Sequence, residues 1–331
     1  MVGQKFVELL ANHPWFEIVA LGASEKSVGK EYADIVNWKM CSPLPQSLSK
    51  LILQPCLPNF PCSLIFSSLS SDSAGSIEDS FAKEGYLVVS NSASHRMSPN
   101  VPLMIPEVNS NHLDLLNYQR STGKIITNPN CSVIALAIAL KPLIDLWGIE
   151  QCLVVTLQAI SGAGYPGVSA YDIIDNVIPY IDQEEEKVEQ EMLKILGSLE
   201  NGAIKKYSMR VSAQCNRVPV VDGHMACISV KLKKKAHSDM IIRSWKDFSK
   251  NQKEQDLPTA PLESIIYHDA KNYPQPKLHK NLNKGMSVSI GGLRECAVLD
   301  WKFNILSHNT IRGAAGGSLL IAELMKKKGL I

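Results

Sequence analysis

Lys124-Ile-Ile-Thr-Asn-Pro-Asn-Cys-Ser-Val133 runs from a short apolar strand straight into an apolar stretch, Ile134 to Leu140, with the texture of a helix. Pro129 restrains the approach, which places Cys131 in the first helical turn, where backbone N–H groups lack partners. The positive end of the helix dipole favours a thiolate there, so the segment predicts a nucleophile. A small cysteine that merely packs is the plain alternative.

Upstream, strands and helices alternate. Val2, Phe6, Leu9 and Leu10 share one helical face that ends at His13-Pro14, and residues 16–21 form a strand stopping at Gly22-Ala-Ser24. Strands at 63–66 and 86–90 flank a helix at 77–82 closed by Gly85. Short apolar strands between helices predict a parallel, helix-covered sheet. Beyond residue 150 the pattern changes to a strand at 152–159, a glycine-rich loop at 162–167 and a charged helix at 184–196. Strands on either side of Asp222-Gly223 read as a hairpin, and the Pro-rich stretch 250–284 as a surface excursion. A small-residue turn from Gly313 opens a C-terminal helix.

Of 331 residues, 45% are hydrophobic and the net charge is +2, so no charge field points to nucleic acid or a membrane surface. The 8 cysteines show neither a paired nor a metal-ligand spacing, which predicts a reducing compartment and no metal site. No apolar run reaches bilayer length and the N-terminus lacks a signal-peptide pattern, so a soluble cytoplasmic protein is expected.

A dinucleotide-binding unit opens with a strand, a glycine-rich turn and a helix that receives the pyrophosphate. The chain begins at Met1-Val-Gly-Gln4, so Gly3 stands where the last glycine of that turn belongs, and the preceding strand is missing. A slot one strand wide is the expectation. Ser24, Ser27 and Lys30 follow the next strand, where hydroxyls and an ammonium suit a ribose phosphate and hence NADP.

The order and spacing of several motifs resemble the aspartate-semialdehyde dehydrogenase family, in its fungal and archaeal branch. They are Asn128-Pro-Asn-Cys-Ser132, Leu157-Gln-Ala-Ile-Ser-Gly-Ala-Gly164, Gln214-Cys-Asn-Arg-Val218, Asp222-Gly-His224 and Ser307-His-Asn-Thr-Ile-Arg-Gly-Ala-Ala-Gly-Gly-Ser318, with Leu21-Gly-Ala-Ser24 and Ser90-Asn-Ser92 before them. The resemblance implies an α/β fold: a Rossmann-like, doubly wound parallel sheet joined to an α+β catalytic and dimerisation domain. Residues 1–129 would bind NADP, completed by a helix within 310–331, and residues 130–309 would form the second domain.

It implies NADPH-dependent reductive dephosphorylation of L-aspartyl-4-phosphate through a Cys131 thioester, in threonine, methionine and lysine biosynthesis. His224 would be the acid/base and Gln158 would orient the acyl group. Arg217 would hold the α-carboxylate, Glu184 the ammonium, and Lys187 and Arg96 the phosphate. Asn130 and the helix N–H groups would stabilise the oxyanion. Gly3, Ser24, Ser27 and Ser68 would face the nucleotide; Ser161, Gly162 and Asn309 would face its nicotinamide end. A homodimer or homotetramer is implied. The alternatives are a sibling acyl reductase acting on malonyl-CoA or N-acetylglutamyl phosphate, and a truncated, non-catalytic product.

Overall fold

The computed structural model describes residues 1–252 and 256–331; residues 253–255 of the expected surface excursion lie outside the described residues. Helix α1 (Val2–Leu10) forms as its apolar spacing predicts and buries Phe6, Val7 and Leu10. Strands β1 (Gly22–Ala23) and β2 (Gln54–Pro55) form a short parallel pair. Three longer parallel strands follow: β3 (Leu64–Ser67), β4 (Leu87–Ser90) and β5 (Lys124–Thr127), side by side in that order. Helix α2 (Ser71–Lys83) connects β3 to β4.

Alternating side chains of β4 serve opposite faces of this sheet. Val88 packs with Phe81 of α2. Leu87 and Val89 pack with Leu320 and Ile321 from the C-terminal helix, 316–327. The layer is therefore wound on both sides, and the chain's last helix supplies one cover.

The expected strand at 16–21 differs from the reading. Only Gly22 and Ala23 pair, and among the described residues no hydrogen bond reaches the backbone of residues 17–20. A cavity of ≈460 Å³ separates this extended segment from β3, lined by residues 16–22 on one side and 63–69 on the other. Two strand edges facing one another across a gap cannot hydrogen-bond directly, because paired strands lie only about 4.8 Å apart. The apolar alternation was legible; the pairing it needed was not.

Helix α3 (Cys131–Trp147) leads from the small sheet into the second layer. Asn130 is its N-cap, the side-chain Oδ1 accepting from the Ser132 N–H at 2.9 Å. Apolar on nearly every side, α3 is buried between sheet and helices, and it ends at Gly148, whose φ of 66° suits glycine. Next come β6 (Ile149–Gln158), β7 (Ile178–Pro179), α4 (Glu184–Ile195), β8 (Arg210–Arg217) and β9 (His224–Leu232). The chain continues through α5 (Ser238–Lys250), β10 (Ile265–His268), β11 (Val288–Glu295), β12 (Trp301–Ser307) and α6 (Gly316–Lys327).

The large sheet has the order β10-β11-β12-β9-β6-β8-β7. Helices α3, α4 and α5 pack against it, while Leu153 of β6, at 46% exposure, marks apolar surface left open.

The Asp222-Gly223 turn is not a hairpin. β8 runs parallel to β6 and β9 antiparallel to it, so β6 lies between the two. The link crosses over the end of β6, where the Ile160 and Ser161 N–H groups donate to the Val220 and Val221 carbonyls. Those bonds satisfy a backbone that a hairpin would have paired within itself. Nor is 250–284 wholly a surface excursion: Ile265–His268 is a strand paired with β11, and Leu257 is buried.

Candidate active site

Cys131, Gln158, Arg217 and His224 all sit at ends of core elements: the start of α3, the last residues of β6 and β8, and the first of β9. Because β6 is flanked by β8 and β9, Arg217 lies opposite Gln158 and β9 begins beside it. That register, rather than sequence proximity, gathers the groups. A cleft of ≈640 Å³ is lined by Gly3, Ser27, Ser68 and Arg96 together with Cys131 and Gly162. Ser161, Asn309 and Asn130 also border it.

Two glycines bring the walls together. A Cβ on Gly313 would stand 2.7 Å from the Cys131 Cβ, so the π-helical turn Ile311–Ala315 lies directly against Cys131. A Cβ on Gly162 would stand 2.8 Å from Arg217 Nη1 and 3.0 Å from His224 Nε2. His224 and Arg217 thus back the same glycine, which itself faces the cleft. Gly162→Ala is expected to displace both side chains and lower kcat/KM about a hundredfold, the scale of a misplacement near 1 Å. Steady-state kinetics with an unaltered melting temperature would establish this; wild-type kcat/KM would refute it.

The thiol differs from the expectation. Burial pushes the Cys131 pKa up to about 12, and the Glu184 carboxylate pushes the same way, against the opposing pull of Arg96 and Arg217. The helix terminus does not outweigh desolvation. The resting group is a thiol, and a base must act when attack occurs.

His224 is 3% exposed and kept neutral: burial, then Arg217 and His308, lower its pKa to about 3. Its Nδ1 accepts from the Ala159 N–H at 3.0 Å, so the single proton of the neutral ring belongs on Nε2, a buried atom without a partner among the described residues. Arg217 donates through Nη1 to the Ala159 carbonyl at 2.9 Å.

Glu184 faces inward. Its Oε1 accepts from Asn130 Nδ2 at 2.8 Å and from Gln158 Nε2 at 3.1 Å. The Asn130 amide gives its oxygen to the helix cap and one of its two N–H donors to Glu184. Lys187 is half-buried on α4, with no side-chain hydrogen bond among the described residues, and is not part of the cleft wall. Ser24 is exposed in a turn whose carbonyl accepts from the Ser27 N–H; Ser27 itself reaches the cleft. Gly3 and Ser68 meet, the glycine's Cβ position lying 3.2 Å from the Ser68 Oγ. Asn309 donates to the Ser161 Oγ at 2.7 Å and accepts from the Gly223 N–H at 2.9 Å.

Arg96 keeps donors in reserve: Nη1 meets Glu191 Oε1 at 3.0 Å and Nη2 meets the Asn91 carbonyl at 2.7 Å, while the buried Nε has no partner among the described residues. The reading of the sequence missed Glu191 and Asn91. A signal was present: Glu191 lies two turns beyond Glu184 on one helix face.

A doubly wound parallel layer and a mixed sheet, joined by a helix that starts at a cysteine, define the chain as an α/β protein with a thiol at the junction of its layers. Residues 1–116 match the semialdehyde dehydrogenase NAD binding domain, and residues 140–312 the semialdehyde dehydrogenase dimerisation domain. The chain is 45% identical over 344 residues to the aspartate-semialdehyde dehydrogenase of Schizosaccharomyces pombe, covering 100% of this chain and 96% of that one. It is 43% identical over 336 residues to that of Archaeoglobus fulgidus, with the same two coverages, 100% and 96%. A crystal structure of the Candida albicans enzyme with NADP superposes with a TM-score of 0.92 at 41% identity, covering 100% of this chain and 97% of that one. The chain belongs to the aspartate-semialdehyde dehydrogenase family. Among the described residues no helix is long and apolar enough to cross a membrane.

Proposed function

We propose that this chain catalyses the NADPH-dependent reductive dephosphorylation of L-aspartyl-4-phosphate to L-aspartate 4-semialdehyde, the branch-point aldehyde of threonine, methionine and, where made by this route, lysine biosynthesis. The observation that carries this is the convergence on one cleft of a helix-start thiol, a guanidinium with a spare buried donor, and a glycine–serine wall formed by Gly3 and Ser68. The fit to a dinucleotide rests on that wall: a side chain at Gly3 would crowd Ser68, and the N-terminus of α1 opens on the cleft. Gly3, Ser27 and Ser68 would hold the nucleotide, while Ser161, Gly162 and Asn309 would position its nicotinamide. When bound, the cofactor supplies the hydride.

The chain's own residues do the rest. The sulfur of Cys131 attacks the acyl carbon, phosphate leaves and a thioester forms. Arg96 meets the departing phosphate and Arg217 the α-carboxylate. Glu184, a carboxylate already shared by two amides, has capacity to accept from the substrate ammonium. In its resting form His224 donates from Nε2 toward the oxygen that becomes an oxyanion. Taking the thiol proton at Nε2 requires the other tautomer, which gives up the Ala159 bond. The open side of the large sheet fits a homo-oligomer.

The test is turnover by the purified chain. NADP reduction with aspartate semialdehyde is expected to depend on inorganic phosphate. Phosphate-independent turnover with malonyl-CoA instead would replace the substrate assignment by the sibling reductase.

A further inference from the structure

Helix α4 touches the other layer through buried charged side chains that the reaction described above does not use. Glu191 is 2% exposed and divides its two oxygens. Oε1 accepts from Arg96 at 3.0 Å, and Oε2 accepts at 2.7 Å from the Asn130 N–H, one residue before the nucleophile. One turn on, Lys194 is 3% exposed, and its ammonium donates to the carbonyls of Arg96, Ser98 and Val101 at 2.7, 2.9 and 2.8 Å. All three of its donors are spent on the backbone of one loop.

A buried ion pair adds little stability by itself, because desolvation offsets the attraction. The division of labour within the pair is the informative part. One carboxylate is bonded both to the guanidinium whose Nε remains spare and to the backbone beside the sulfur. The ammonium behind it fixes the loop that carries the guanidinium. With both bonds made, Arg96 cannot shift relative to Cys131 without leaving a buried donor unmet.

We propose that Glu191, backed by Lys194, is a positioning residue that holds the Arg96 guanidinium and the start of helix α3 at one separation, so that a single phosphorylated substrate meets the anion site and the nucleophile together. The proposal rests on Arg96 being the phosphate contact.

A double-mutant cycle tests it. Glu191→Gln keeps the size and an acceptor for the Asn130 N–H but removes the charge facing Arg96. It is expected to raise the KM for phosphate about tenfold and to leave the KM for NADP unchanged. In an Arg96→Gln background the same change is expected to add less than about twofold, because the partner it acts through is gone. Additive effects would overturn the proposal, as would equal changes in both KM values. Should Glu191→Gln not fold, Lys194→Gln carries the test, since it leaves the Arg96–Glu191 pair in place and loosens the loop. The same rise in phosphate KM is then expected, and an unchanged value overturns the proposal.

Alkylation gives a readout that needs no turnover. The ratio of Cys131 modification by iodoacetate to that by iodoacetamide is expected to fall in Arg96→Gln and Glu191→Gln alike. If the unaltered chain had no dehydrogenase activity, the function reading would fail while this ratio still tested Glu191. A ratio that Arg96→Gln lowers and Glu191→Gln does not would refute the positioning role.

Discussion

Cys131→Ser is expected to lower kcat by at least about a thousandfold while leaving the fold intact, because a serine hydroxyl is far harder to ionise and a poorer leaving group than a thiol. The side chain is only partly buried at the cleft wall, and the exchange removes no methylene, so the melting temperature is expected to move by about 2 °C or less. The raised thiol pKa adds a pH signature. With its pKa pushed up to about 12, the group is overwhelmingly a thiol at pH 7. Iodoacetamide modification should then accelerate about tenfold per pH unit from pH 7 to 9, without a plateau. Second-order rate constants measured across that range decide the matter. A plateau near pH 7 would mean that the helix terminus and the two arginines prevail over burial.

The same cysteine marks what was legible in the sequence. That Cys131 opens a helix after a strand follows from local chemistry: an apolar run and a proline-restrained approach. The place of Gln158 near the end of an apolar strand was equally readable. The ionisation was not, since it depends on burial and on Glu184, fifty-three residues further along the chain. Strand-like alternation at 16–21 was visible, but a strand is made by its neighbour, and this segment has a cavity on that side. Likewise Asp222-Gly223 has the composition of a hairpin turn, yet β6 lies between the flanking strands because long-range pairing outweighs a turn preference. Glu191 and Lys194 sit on a charged helix that reads as solvated surface. Only the loop carrying Arg96, folded against them from the other layer, makes them interior.

Acid is expected to unfold the protein well above the pH at which carboxylates titrate. Three histidines are buried and held neutral: His112 and His308 with pKa lowered to about 4, and His224 to about 3, burial being the first cause in each. Neighbouring charges add to it, Lys194 and Lys141 at His112, Arg217 and His308 at His224. At His308, Lys5 and Lys280 lower the value while Asp222 and Glu8 oppose. Each folded pKa lies below the unfolded value near 6.5, so between the two the unfolded chain binds more protons, and stability must fall as pH falls. The contribution is complete above pH 6.5 and is lost on the way down to pH 4 or 3. The three histidines act in the same direction, so together they weigh against a domain stability of only about 5 to 15 kcal/mol. Lys194 produces no slope there. Its pKa, lowered by burial to about 8, separates folded from unfolded protonation only above that value. Urea midpoints are therefore expected to drop steeply between pH 6.5 and 4.5. His112 is hydrogen-bonded to Asn109 and the Gly197 carbonyl, away from the cleft, so His112→Gln should remove about one proton from the slope without touching activity. A midpoint that stays level from pH 7 to 5 would show that the rings take up protons in the folded state, and that burial does not hold them neutral.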